Sequence, residues 1–164
     1  MKPLRSILFL IPLVLTACGY TLGEGDSTVL APQYRTIAIS EVHNPTTLSW
    51  LEPRLRKLLR DELNNRRTIT WVDSRDNADA VISITIKRYN RPTAVTGSDD
   101  ETLRSSANFN FEASIFSTTD DSLIWNSGTI SQSWPFFSGG ESEADMEVTL
   151  LGIRRLADLM TQNY

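Results

Sequence analysis

Cysteine and histidine each occur once in this 164-residue chain, as Cys18 and His43. A nucleophile with its base, or a His/Cys metal cluster, needs at least two such groups within reach of each other, so neither can be assembled. His43 stands directly before Asn44-Pro45 and reads as a turn residue. The acidic runs Asp99-Asp100-Glu101 and Asp120-Asp121 lack the alternating oxygen ligands and the internal glycine of a calcium loop, and read as solvated loops. No glycine-rich loop follows a strand and opens a helix, so a phosphate cradle is absent too. The chain reads as non-enzymatic, with no metal and no cofactor.

With no partner thiol for a disulfide, Cys18 takes its meaning from what precedes it. Met1, Lys2 and Arg5 make a basic start, Ile7 to Leu15 form an uncharged stretch of nine residues, and small Thr16 and Ala17 lead into Cys18. That order is the order of a secretory signal. The stretch is too short for a membrane-spanning helix, which needs about 20 apolar residues. Leu15-Thr16-Ala17-Cys18 resembles the bacterial lipobox. The resemblance implies that the Cys18 thiol takes up a diacylglycerol, that the chain is cut just before it, and that the new amino terminus is acylated. Two or three long acyl chains exceed what stable anchoring requires, at about 0.8 kcal/mol per buried methylene. Residues 1–17 are thus expected to be a lipoprotein signal peptide, 18–33 a Gly, Ser, Thr and acid-rich lipidated tether, and 34–164 one domain.

Loss of the signal removes Lys2 and Arg5, so the formal charge of −4 becomes −6. Nucleic acid is excluded as a partner, because counterion release needs a basic face. Against this acidic background Lys87, Arg88 and Arg91 gather around Tyr89 at a strand end. They read either as a phosphate-binding site for lipid head groups or as a solubilising strand terminus. Ser133-Trp-Pro-Phe-Phe-Ser-Gly-Gly140 reads as an aromatic loop, either packed under the last helix or turned towards a partner.

The elements that position these groups follow from periodicity. Arg35 to Val42 alternates as a strand, with Ile37 and Ile39 on one face. Leu51, Leu55, Leu58, Leu59 and Leu63 recur at helical spacing, and Ser49 with Glu52 fits a capping box. Thr68 to Val72 makes a short strand that a tight crossover returns parallel to the first. Ala80 to Tyr89 sets Ile82, Ile84 and Ile86 against Ser83, Thr85 and Lys87, and Asn108 to Phe116 repeats the scheme with Phe109, Phe111, Ala113 and Ile115. After the turn at 118–121 a strand from Leu123 to Trp134 is expected, with Gly128 as a bulge, and then a helix from Glu143 carrying Met146, Leu150, Ile153, Ala157 and Met160. The expectation is an α+β two-layer sandwich, a mixed sheet and two helices in the order β-α-β-β-β-β-α.

Taken together, the lipobox with Cys18-Gly19-Tyr20, the strand Arg35-Thr-Ile-Ala-Ile, the helix end Leu59-Arg-Asp-Glu-Leu63, Trp71-Val-Asp and Ala78-Asp-Ala-Val-Ile82 resemble the LptE family of lipopolysaccharide-assembly lipoproteins. The resemblance implies a non-enzymatic, lipid-anchored protein on the periplasmic face of the outer membrane. It would sit as a plug inside an LptD-like β-barrel and help deliver lipopolysaccharide to the cell surface. Gly19 after the lipidated cysteine fits sorting to the outer membrane. The family offers no motif that selects Lys87, Arg88 and Arg91, so their lipopolysaccharide-binding role rests on charge. An outer-membrane-anchored scaffold or activator of a cell-wall synthase would give a similar sequence. The neutral polar residues Ser83, Thr85, Asn108, Asn110 and Ser114 form the face expected to meet the barrel lumen.

Overall fold

In the computed structural model, which describes residues 29–67, 69–96 and 102–161, the alternating segments form one mixed sheet and the two apolar stripes form helices on one side of it. The elements are β1 (Thr36–His43), α1 (Leu51–Arg66), β2 (Thr70–Trp71), β3 (Ala80–Asn90), β4 (Thr93–Thr96), β5 (Thr102–Ser117), β6 (Leu123–Asn126), β7 (Ile130–Phe137) and α2 (Glu141–Thr161). β1 pairs in parallel with β2 and β3, and β3 pairs antiparallel with β5. The long β5 carries β4 beyond the end of β3, and on its other side β6 and β7 follow one another. The expected α+β sandwich is therefore present, with its first three elements in a β-α-β unit that closes in parallel.

Leu51, Leu55, Leu59 and Leu63 lie one turn apart along α1 and are all fully buried against the sheet. Each such side chain contributes about 1.5–3 kcal/mol by leaving water. α2 buries Ala144, Val148, Ile153, Leu156, Ala157 and Met160. Gly152 lets its backbone approach the stacked rings of Phe109 and Phe111, whose centroids are 4.6 Å apart. On this helix the expected stripe was out of phase in its first half: Met146 is exposed, and the close approach at Gly152 turns Val148 inward instead. α1 likewise begins at Leu51 behind Trp50 with no side-chain cap, so the Ser49–Glu52 capping box does not form.

Three other details differ from the sequence reading. β4 continues the line of β3 after the Arg91-Pro92 break. The expected strand from Leu123 to Trp134 splits into β6 and β7 at Gly128, whose φ of 63° leaves the extended region. The aromatic stretch is the end of edge strand β7, not a loop: Phe136 is buried, Trp134 half-buried and Phe137 73% exposed.

The two helices run parallel. Arg66, in the last turn of α1, pairs with Asp158 at 2.6 Å and donates to the Arg154 carbonyl at 3.4 Å, so both helices end at the same end of the molecule. There the chain enters the fold: Val29 N–H donates to the Met160 carbonyl at 2.8 Å, and Leu30, at the end of the stretch read as tether, is buried in the core. At the base of the sheet the Asp79 carboxylate accepts from the Arg35 and Thr36 amides and the Thr36 hydroxyl, clamping β1 to the start of β3.

Candidate functional site

Alternation along β3, β5 and β7 leaves one face of the sheet without a covering layer. Every second residue of β5 from Ser105 to Ser117 is buried under the helices, so Arg104, Ser106, Asn108, Asn110, Glu112 and Ser114 take the opposite face. Ser83, Thr85, Arg88 and Asn90 join them from β3, and Ser131 and Ser133 from β7, set by the pairings Ser83↔Ser114, Arg88↔Asn110 and Asn108↔Ser133. The five residues expected to form a neutral face thus share one. At its lower end the face is apolar, where Ala38 and Val81 are buried with Ala78, Val72 and Phe116. Asn126 Nδ2 donates to Ser114 Oγ at 2.8 Å on the same side.

The basic strand end is divided between two faces by a local irregularity. The register of β3 against β5 shifts between Ile86 and Arg88, one extra residue on β3. Lys87 reaches the Glu112 carboxylate at 2.6 Å. Arg88 is exposed in a shallow depression of about 370 Å³ lined with Asn90, Asn108, Asn110, Ser131 and Ser133. Tyr89 and Arg91 turn to the helix side, where both grip Asp145 in the second turn of α2. Arg91 donates to its two oxygens at 3.0 and 2.8 Å, and the Tyr89 hydroxyl donates to the first of them. Asp145 is 8% exposed, while the Arg91 side chain keeps 33% of its surface in water, so the ion pair is half-buried.

The electrostatics follow from that packing. Burial, then the hydrogen bond to Asp145, pushes the Tyr89 phenol well above its ordinary value. Burial works against the charge on Arg91, but the Asp145 carboxylate more than offsets it, so the guanidinium is held charged more firmly than usual. Trp50 stacks edge-on against Tyr89 with centroids 5.6 Å apart, and the Arg54 guanidinium lies 4.7 Å from the centre of the Trp50 ring.

Of the cations singled out by sequence, Arg88 alone has no ion pair among the described residues. The structure adds Arg104, exposed on the same face six residues up β5 from the partner of Arg88, a separation of about 20 Å at roughly 3.3 Å per residue. Its even place in the β5 alternation could have identified it. Asp145 had no such signal, because its partners lie more than fifty residues away. Cys18 lies outside the described residues. Among the described residues no helix is long and apolar enough to cross a membrane.

A family model described as LptE, lipopolysaccharide-assembly, matches residues 34–163. No curated protein sequence matches the chain. Among solved structures, the chain is similar to lipoprotein B of Nitrosomonas europaea, with a TM-score of 0.57 at 9% identity over 84% of this chain and 87% of that one. It is also similar to the dodecameric PelC of Paraburkholderia phytofirmans, with a TM-score of 0.54 at 15% identity over 82% and 92%. A third is the hypothetical protein CT253 of Chlamydia trachomatis, at 0.53 and 11% over 79% and 99%. These likenesses show a shared fold.

Proposed function

Since this chain belongs to the LptE family of lipopolysaccharide-assembly proteins, we propose that it is an outer-membrane lipoprotein, acylated at Cys18, that plugs an LptD-like β-barrel and helps deliver lipopolysaccharide to the cell surface. The uncovered sheet face carries this reading. Most of its side chains are hydroxyls and amides that can dock against a polar lumen wall without giving up the hydration of a charge, Lys87–Glu112 is neutral as a unit, and Arg88 and Arg104 are its unpaired cations among the described residues. Lipopolysaccharide phosphates are assigned to the strand end bearing Lys87, Arg88 and Arg91. Arg88 makes the first contact, because Lys87 and Arg91 already hold carboxylates.

Photo-crosslinkers at positions 85 and 110 in living cells test the plug. Capture of lumen residues of an outer-membrane barrel is expected. Crosslinks to soluble periplasmic proteins alone, with the chain folded and abundant, would refute it in favour of a scaffold for cell-wall synthases. Labelling with a clickable fatty acid tests the anchor: the Cys18→Ser chain should take up no label, and equal label on both chains would end the lipoprotein reading.

A further inference from the structure

β6 and β7 form one long edge of the sheet. Both pair with β5 on one side only, and no strand among the described residues meets the other side. From Leu123 to Phe137 this edge carries no charged residue, in a chain that is 22% charged. Exposed edges of native sheets are ordinarily guarded by charged side chains, because their free N–H and C=O groups are a template for another strand. Here only Pro135 interrupts that template. Leu123 and Phe137, 58% and 73% exposed, stand at its two ends, and Trp134 is half-buried between them. Which backbone groups are free follows from the bonds of β5. Ser106 donates to the Pro92 carbonyl on the β4 side, and Ala113 exchanges 2.9 Å bonds with Ser127 on the β6 side. Along this stretch the even-numbered residues therefore turn their main-chain groups away from β7. Their partners Ser131, Ser133 and Pro135 point in turn to the free side, where Pro135 has no N–H to leave unpaired.

We infer that this edge pairs with the same edge of a second copy of the chain, antiparallel about a two-fold axis at Gln132. The register follows from the free groups. Setting Ser131 opposite Ser133 of the second copy, and Ser133 opposite its Ser131, uses every free donor and acceptor of both serines in four bonds. Pro135 then falls opposite Thr129, outside the regular strand, where the pairing no longer needs its N–H. On the helix side the same register sets Trp134 opposite Ile130 of the second copy, and the two-fold repeats the contact. An aromatic against a β-branched residue is a cross-strand pair that stabilises sheets. A two-fold axis also brings the edge against its own copy, so a charge near the axis would meet its like; the uncharged run removes that cost. This self-complementary register, together with the missing charge, selects a second copy as the occupant. Glu143 of α2 lines a depression with Trp134 to Ser138, at the upper end of the strand beyond the paired serines. The pairing continues one sheet across both copies, with the two helix layers on one side and the two open faces joined on the other. It does not depend on the barrel reading.

The buried core runs from Leu30 to Met160, so residues 19–164 without acyl chains contain all of it and can be tested alone. Light scattering on a sizing column, over a range of concentrations, should show a monomer–dimer equilibrium. Ser131→Lys with Ser133→Lys sets lysine opposite lysine at both paired sites, on exposed positions, and should weaken the dimer on the order of tenfold with the circular dichroism spectrum unchanged. A disulfide reads the register. Gln132 faces its own copy as a non-bonded pair, about 4.5 Å between Cα atoms, a spacing that a disulfide spans. Residues 19–164 contain no cysteine. On mild oxidation Gln132→Cys should close to a covalent dimer, and Arg88→Cys, exposed on the open face away from the edge, should not. A chain that stays monomeric at every concentration leaves the edge to another occupant and overturns the inference. So does a dimer that the two lysines do not weaken, or oxidation that links Arg88→Cys as fast as Gln132→Cys.

Discussion

Replacing Asp145 with Asn tests whether the helix-side half of the basic cluster holds the fold together. The change keeps the shape of the side chain and removes its charge, leaving an amide that must offer an N–H to either the Arg91 fork or the Tyr89 hydroxyl. Removing one partner of a buried ion pair costs about 3–5 kcal/mol where the other is left dry. Arg91 keeps 33% of its side chain exposed, so water recovers part of that; we expect a loss of about 2–3 kcal/mol, with the lower figure set by one charge-assisted hydrogen bond. At roughly 3 °C per kcal/mol for a domain of this size, the unfolding midpoint should fall by about 6–9 °C. Thermal unfolding of residues 19–164 followed by circular dichroism measures it, alongside Arg91→Gln and the double variant. The double variant should lose little more than either single, because the first change already breaks the pair. A drop under about 2 °C, or losses that simply add, would refute the coupling and return Arg91 to the pool of cations free for phosphate.

Tyr89 supplies a base-limb prediction. Its folded value is raised above the unfolded one, so its contribution is fully present below about pH 10 and lost as pH rises towards the folded value; the midpoint should fall more steeply from pH 9 to 11.5 in the parent than in Tyr89→Phe. Gly152→Ala places a Cβ 3.0 Å from Phe111 Cε1 and 3.1 Å from Phe109 Cδ1. Overpacking against two buried, stacked rings should outweigh the gain of about 1 kcal/mol in helix propensity, for a net loss of about 1–2 kcal/mol in urea unfolding. Leu30→Ala should cost about 2–3 kcal/mol in the same assay if the tether's end is part of the core, and almost nothing if it is only a leash. Replacing Lys87 and Arg88 with Ser should weaken lipopolysaccharide binding by the soluble domain while leaving the midpoint within about 2 °C, since both are exposed; unchanged affinity makes the strand end a solubilising one.

The parts legible in the sequence were those fixed by a strict period. Ile82, Ile84 and Ile86 against Ser83 and Thr85 could face only one way, and the same holds for Phe109 to Ile115 and for the leucines of α1. The failures lie where the period breaks. One inserted residue at Lys87 sends Lys87 and Arg88 to one face and Tyr89 and Arg91 to the other, and a period of two cannot foresee an insertion. Gly128 was read as a bulge within one strand, yet its positive φ ends β6. α2 was read by its large residues, but Gly152 and Thr149 face the sheet and set the phase. Asp145 chooses its partners by tertiary contact, and local sequence holds no trace of that.

The placement of charge bears on how a protein of this fold can meet two environments at once. A polar wall and a lipid head-group layer make opposite demands: the first penalises unpaired charge, since each ion must shed water, and the second rewards cations. On the open face Lys87 is neutralised by Glu112, and Arg91 is drawn through the β3 irregularity to Asp145, leaving Arg88 and Arg104 as its unpaired cations among the described residues. In the helix layer Arg67, Arg154 and Arg155, exposed and without an ion pair among the described residues, lie towards the end where Val29 leaves the fold, while Arg54, also without one, lies over Trp50 at the start of α1. Had the register of β3 continued without its extra residue, Lys87 would still have faced outward, but Arg88 would have turned inward and Tyr89 and Arg91 outward, away from Asp145. The irregularity therefore exchanges Arg91 for Arg88 on the open face, and it uses Arg91 together with Tyr89 to fasten the sheet to α2 at Asp145.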